Sequence, residues 1–171
     1  MGRCGLLLVA LLATNSMAAA ENLRAQMFLI DARGTVGTAG EVLLADSPDG
    51  VRLLVELRNL PPGSYGLQIH RGSDCGSGPD DTGAMAAGVL AGDPWAPADG
   101  PGDAGMVADQ PPPPEGASTM PLDLPPLQVR EDGHGYAEIV LPQISDAFQL
   151  WYRSVVAHAP DGGRIACGVV G

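Results

Sequence analysis

Residues Val51 to Arg58 alternate in character. Val51, Leu53, Val55 and Leu57 share one face, while Arg52, Glu56 and Arg58 share the other. A period of two is that of a strand with one side in a core and the other in water. The run is bracketed by Pro48-Asp49-Gly50 and Leu60-Pro61-Pro62-Gly63, both turn signals. The same order of apolar run and turn recurs along the chain. Leu23 to Ile30 runs into Asp31-Ala32-Arg33-Gly34, and Val42 to Ala45 runs into Pro48-Asp49-Gly50. Leu127 to Arg130 and Tyr136 to Leu141 flank Glu131-Asp132-Gly133, and Trp151 to Ala159 meets Arg164 to Val170 across Pro160-Asp161-Gly162-Gly163. No convincing amphipathic helix interrupts them. With 24 glycines, 16 prolines and only 4% aromatic residues, the composition favours short strands and turns. The expected class is all-β: an antiparallel Greek-key barrel or sandwich of about eight strands.

A length of 171 residues suits one domain behind a leader. Residues 1–20 read as a secretory signal: Arg3 supplies the positive start, Gly5 to Ala13 is apolar, and Ala18-Ala19-Ala20 offers small residues for cleavage. The apolar run is too short to span a bilayer. The expected mature domain is residues 21–171, exported to the periplasm or secreted, with no membrane attachment after cleavage. Losing Arg3 takes the net charge from −11 to −12. That acidity, without clustered Lys or Arg, excludes nucleic acid as a partner. Cleavage also removes Cys4, leaving Cys75 and Cys167, an even pair for which a disulfide is the default in an exported protein. Residues 76–126 are rich in Gly, Ala, Asp and Pro, with Pro111 to Pro114 in a row, and are expected as a long irregular loop.

Two segments carry a specific resemblance. Gly63-Ser64-Tyr65-Gly66-Leu67-Gln68-Ile69-His70-Arg71-Gly72-Ser73-Asp74-Cys75 and Gly162-Gly163-Arg164-Ile165-Ala166-Cys167-Gly168-Val169-Val170-Gly171 resemble the copper/zinc superoxide dismutase family. The likeness in strand pattern extends over nearly all of residues 23–171. That family uses six histidines at its metals, and this chain has three. The resemblance implies that His70 matches the second histidine of a His-x-His copper pair, with Gln68 in place of the first. His158 matches the later copper histidine, and Arg164 the arginine that attracts superoxide. The bridging histidine of the family's Ala-Gly-Gly-His-Phe-Asn-Pro pattern is aligned with Met85 in Thr82-Gly83-Ala84-Met85-Ala86. A thioether cannot bridge two metals as imidazolate does, but it is a soft ligand that favours Cu(I).

No histidine lies between His70 and His134. Asp123, in Leu122-Asp123-Leu124-Pro125-Pro126-Leu127, and Asp103 are rival matches to the family's zinc aspartate, and one carboxylate does not make a tetrahedral zinc site. His134, in a hairpin, is expected to face solvent. The family's long charged loop before the arginine has shrunk to about four residues, which removes much of its cover and steering. These readings imply a copper-binding carrier or buffer with little dismutation and no zinc. The alternatives are a minimal copper-dependent dismutase acting on superoxide, or a metal-free barrel that binds a partner through its long loop. The resemblance is compatible with a monomer or a homodimer.

Overall fold

The computed structural model describes residues 22–99, 118–122 and 124–171. The leader, Cys4, Asp103, Pro111 to Pro114 and Asp123 lie outside the described residues. No helix among the described residues is long and apolar enough to cross a membrane.

The strands are β1 (Leu23–Asp31), β2 (Gly34–Ser47), β3 (Gly50–Leu57), β4 (Gly63–His70), β5 (Gly78–Pro79), β6 (Met85–Ala86), β7 (Leu127–Val129), β8 (Gly135–Leu141), β9 (Ser154–His158) and β10 (Arg164–Val169). Eight of them close into an antiparallel barrel in the order β1-β10-β9-β4-β7-β8-β3-β2, and β5 pairs with β6 as a separate short hairpin. Two connections leap over neighbours. The chain passes from β3 to β4 across β8 and β7, and from β8 to β9 across β7 and β4. These crossings make the barrel a Greek key.

The alternation in β3 is met in full: Val51, Leu53, Val55 and Leu57 are completely buried. They pack with Val42, Leu44, Leu67, Ile69, Leu127, Val155 and Ala157 in one core. Ile30, Ala91, Val156 and Cys167 form a second cluster, with Cys75 and Ala87 packed against it. The expected disulfide is present: Cys75 and Cys167 are bonded, with Cα atoms 5.7 Å apart and a sequence separation of 92.

Two expectations about elements need correction. β2 begins at Gly34, well before Val42. Its first half, Gly34-Thr35-Val36-Gly37-Thr38-Ala39-Gly40, has one large apolar residue, the exposed Val36, and its pairing with β1 shifts register between Met27 and Phe28 and again between Leu29 and Ile30. Gly40 marks the place (φ +129), where an added Cβ would lie 2.0 Å from the Glu56 carbonyl oxygen. Only glycine fits so close an approach. The second correction concerns Trp151 to Ala159, where the strand starts only at Ser154. The preceding residues 147–150 form a 3-10 turn, capped by the Asp146 side chain accepting the Phe148 N–H at 2.8 Å. Tyr152 then takes φ 58. The aromatic run packs on itself, with Phe148 tilted against Trp151 at 4.4 Å between centroids and Tyr152 stacked on Trp151 at 5.0 Å, instead of alternating across a sheet.

The described part of the long loop is packed onto the barrel. It carries the β5–β6 hairpin and short 3-10 turns at Val89–Ala91 and Pro97–Asp99. Trp95 is buried and lies under the Arg153 guanidinium at 4.3 Å. The disulfide ties the start of this loop to β10, so the loop's later carbonyls are held against β4.

Candidate metal centre

β4 and β9 are neighbours in the barrel, with Gly66 opposite His158 and His70 opposite Ser154. This register brings the two histidines together from positions 88 apart in sequence. Their Nε2 atoms are 3.2 Å apart and their rings stack at 5.4 Å between centroids. His70 is buried and His158 is partly buried.

Each ring is oriented from behind. His70 Nδ1 lies 2.8 Å from the Gly92 carbonyl oxygen, and His158 Nδ1 lies 3.3 Å from that of Gly162. A carbonyl only accepts, so both Nδ1 atoms carry the proton in these contacts. In the neutral rings both Nε2 atoms then hold lone pairs, aimed at each other. Two lone pairs 3.2 Å apart repel unless a proton or a metal cation lies between them. Burial pushes the His70 pKa down to about 4, and burial likewise lowers that of His158, so the proton is disfavoured near neutral pH. Neutral imidazole is the form that binds metals.

Arg164, at the start of β10, donates from Nη1 to the Gly88 carbonyl and from Nη2 to that of Gly92 at 2.9 Å. The Gly92 oxygen thus serves both the His70 ring and the arginine, which fixes a cation beside the histidine pair. Burial lowers the Arg164 pKa, and Arg164 in turn lowers those of both histidines. Gly88 takes φ +62, and a Cβ there would meet Ile30 Cδ1 at 2.8 Å, so glycine lets the loop approach the arginine.

Gln68 is partly buried on β4 and shares a recess of about 250 Å³ with His158, Gly66, Leu67, Leu124 and Gly162. Met85 is 56% exposed on β6, paired with Pro79. His134 is exposed, as expected. The segment that lies against His70 is instead Gly92-Asp93-Pro94-Trp95. Pro94 makes a β-bridge with His70, the Trp95 N–H donates to the Ile69 carbonyl at 2.7 Å, and the Arg71 N–H donates to that of Asp93 at 3.0 Å. Pro94 and the carbonyls of Gly88, Gly92 and Gly162 are the site features that sequence reasoning missed. No group of three or more His, Cys, Asp or Glu among the described residues is placed to hold a metal ion.

A family model described as copper/zinc superoxide dismutase matches residues 38–170. A copper/zinc superoxide dismutase of Escherichia coli (strain K12) is 29% identical, over 99% of this chain and 99% of that one. Among solved structures, the Cu/Zn superoxide dismutase from Brucella abortus superposes with a TM-score of 0.69 at 26% identity, covering 88% of this chain and 100% of the other. The monomeric copper, zinc superoxide dismutase from Salmonella enterica gives 0.66 at 26% identity, with the same coverage.

Proposed function

The chain belongs to the copper/zinc superoxide dismutase family, and from that premise we propose that it is an exported copper-binding member, a carrier or buffer that holds Cu(I) between His70 and His158, with no zinc site and little or no dismutation. The observation that carries this reading is the facing pair of Nε2 atoms at 3.2 Å, each ring turned to that task by a backbone carbonyl at its Nδ1. The donor set fits copper in its reduced state, since few neutral donors suffice there. It does not fit the four imidazoles with which the family holds copper through its redox cycle.

The missing imidazoles have identifiable substitutes. Gln68 offers an amide oxygen, a poor donor to copper. Ala91-Gly92-Asp93-Pro94-Trp95-Ala96-Pro97 keeps the Ala, Gly, aromatic ring and final Pro of Ala-Gly-Gly-His-Phe-Asn-Pro, and it lies against His70. We therefore assign the bridging position to Pro94 in preference to Met85. Proline has neither a side-chain donor nor an N–H. With no histidine between His70 and His134, a lone Asp103 or Asp123 does not complete a tetrahedral zinc site. Export follows from the leader and agrees with the disulfide.

One observation favours a second reading. The Arg164 guanidinium shares the Gly92 carbonyl with His70, the placement an arginine needs to attract superoxide to a copper held there. Copper, when bound, would supply one-electron redox chemistry at that point. Anaerobic titration of the mature protein with Cu(I), and aerobic titration with Cu(II), separates the readings. Submicromolar Cu(I) uptake that is lost in His158→Ala, with slow superoxide decay, supports the carrier. Fast copper-dependent decay that vanishes in the same variant establishes the minimal dismutase instead. No uptake of either ion below micromolar leaves the metal-free barrel.

A further inference from the structure

The outer face of the barrel carries a recess remote from the histidine strands: β2 and β4 lie four strands apart whichever way the closed sheet is followed. The recess spans β1, β2 and the end of β3, holds about 380 Å³, and is lined by Gln26, Thr38, Glu41, Glu56, Arg58 and Asn59. Strand register builds its floor. Gln26 stands opposite Glu41, Glu41 opposite Glu56, and Glu56 opposite Tyr136 of β8. Their chain neighbours Ala25, Val42 and Val55 are completely buried, so this row faces outward, and it ends on a tyrosine that is 60% exposed. Like charges directly opposite each other, as Glu41 and Glu56 are, destabilise a sheet unless a cation offsets them. Arg58 offsets one of them: its Nε and Nη2 both donate to Glu56 Oε1. Among the described residues Glu41 has no ion pair. The amide nitrogens are turned to the backbone, Gln26 Nε2 donating to the Gly40 carbonyl at 2.6 Å and Asn59 Nδ2 to that of Thr38 at 3.2 Å. The polar atoms left over are acceptors: the two amide oxygens, both Glu41 oxygens and Glu56 Oε2.

We propose that this recess binds a primary alkylammonium, the chemistry shared by a small free amine and the side chain of a lysine. Three features select that class. Two carboxylates and one guanidinium leave one net negative formal charge in the walls, which matches one monovalent cation. The same guanidinium repels a dication, and among the described residues no group of three or more His, Cys, Asp or Glu is placed to hold a metal ion. An ammonium has three N–H donors and no acceptor, and the acceptors here come from three directions: Gln26 on β1, Glu41 on β2 and Asn59 just beyond β3. A planar guanidinium instead directs its fork at a single carboxylate. The third feature is Tyr136, next in the row after Glu56, whose exposed ring can cover the alkyl stem of the ligand. This site is independent of the copper reading.

The test titrates metal-free, disulfide-bonded mature protein at low ionic strength with n-butylamine in one arm and a capped Gly-Lys-Gly peptide in the other, followed by proton–nitrogen correlation NMR. Saturable shifts are expected at the backbone amides of residues 38–41 and 56–59, which line the recess. Tetramethylammonium has the charge but no N–H, and should bind at least about tenfold more weakly. Glu41→Gln keeps the shape of the wall and removes its net charge, and should weaken butylamine binding about tenfold. Asp49→Asn makes the same charge change at the far end of the β2–β3 hairpin and should leave binding unchanged. Tyr136→Ser should weaken it about threefold. If Glu41→Gln does not fold, Asn59→Gly serves in its place: glycine accepts the left-handed backbone at this position (φ 62), and one acceptor is lost, with a several-fold weaker affinity expected. The two ligands share charge and stem, so tighter binding of the peptide assigns the site to a lysine of a partner, and equal or weaker binding assigns it to a free amine. Absence of shifts at those amides overturns the proposal. Tetramethylammonium binding as tightly as butylamine, or Asp49→Asn losing as much as Glu41→Gln, overturns it too, since diffuse attraction to an acidic chain then accounts for the response.

Discussion

At the scale of single residues, the proposed copper reading turns on two positions. Gln68 sits on the strand that carries His70, and Pro94 bridges directly to His70. The double variant Gln68→His/Pro94→His is expected to raise Cu(II) affinity by at least about 100-fold, with a smaller gain for Cu(I), since Cu(II) favours more nitrogen donors. Equal gains for both ions would show that these positions do not set the oxidation-state preference. Titration of the metal-free protein gives a second residue-scale prediction. An unfolded histidine has a pKa of about 6.5, and native His70 lies at about 4. Between those values the unfolded chain binds a proton that the folded chain refuses. The stability is therefore present in full above pH 6.5, declines as pH falls towards 4, and is lost below it. The loss is on the order of 3 kcal/mol from His70, with His158 adding in the same direction. Asp31 and Asp80, whose pKa values are lowered by hydrogen bonds from Arg33 and Thr82, respond only at more acidic pH. Denaturant midpoints measured from pH 7.5 to 4.5 should fall steadily in the wild type and stay flatter in His70→Phe. A flat wild-type profile would contradict the burial of this imidazole.

At the scale of elements, the disulfide links β10 to the loop that presents the Gly88 and Gly92 carbonyls. It closes a separation of 92 residues, for which the chain-entropy argument gives about 4–5 kcal/mol. Cys75→Ala/Cys167→Ala should lose stability on that order in urea melts. It should also weaken Cu(I) binding, because the carbonyl behind His70 is released with the loop. Lost stability with unchanged Cu(I) affinity would confine the bridge to a structural role. The elements also show where sequence is legible. β3 was readable because large apolar residues alternate with charged ones. The first half of β2 was not, because its one large apolar residue, Val36, is exposed among Thr, Ala and Gly, and its register is set by β1 through bulges. Trp151 and Tyr152 resembled strand residues, yet their rings prefer each other, and the backbone turns at Tyr152 to permit it. His70, His158 and Arg164, which the barrel brings together, were marked by the motifs around them. The groups that orient them were not, since a backbone carbonyl has no signature in sequence.

At the scale of the whole molecule, the histidine pair exists only once the barrel has closed. β4 and β9 are adjacent in space, but the long loop, β7, β8 and the β8-to-β9 crossing lie between them in the chain. The isolated segments cannot present the two nitrogens 3.2 Å apart, so a metal held as proposed would be bound only by the complete fold. A ligand that binds only the native state stabilises it by RT ln(1 + [L]/Kd), about 2.7 kcal/mol at a free concentration one hundred times Kd. Buffered Cu(I) at that excess should therefore raise the unfolding midpoint of the disulfide-bonded protein, with no change in the slope of the transition. Zn(II) at the same free concentration should raise it less, because two imidazoles leave a tetrahedral ion half-coordinated. His158→Ala should abolish the Cu(I) shift and leave the metal-free midpoint within about 1 kcal/mol of the wild type, since this ring is only partly buried. Thermal and urea melts under anaerobic metal buffering decide it. A Zn(II) shift equal to that of Cu(I), or a Cu(I) shift that survives in His158→Ala, would place the metal elsewhere on the barrel.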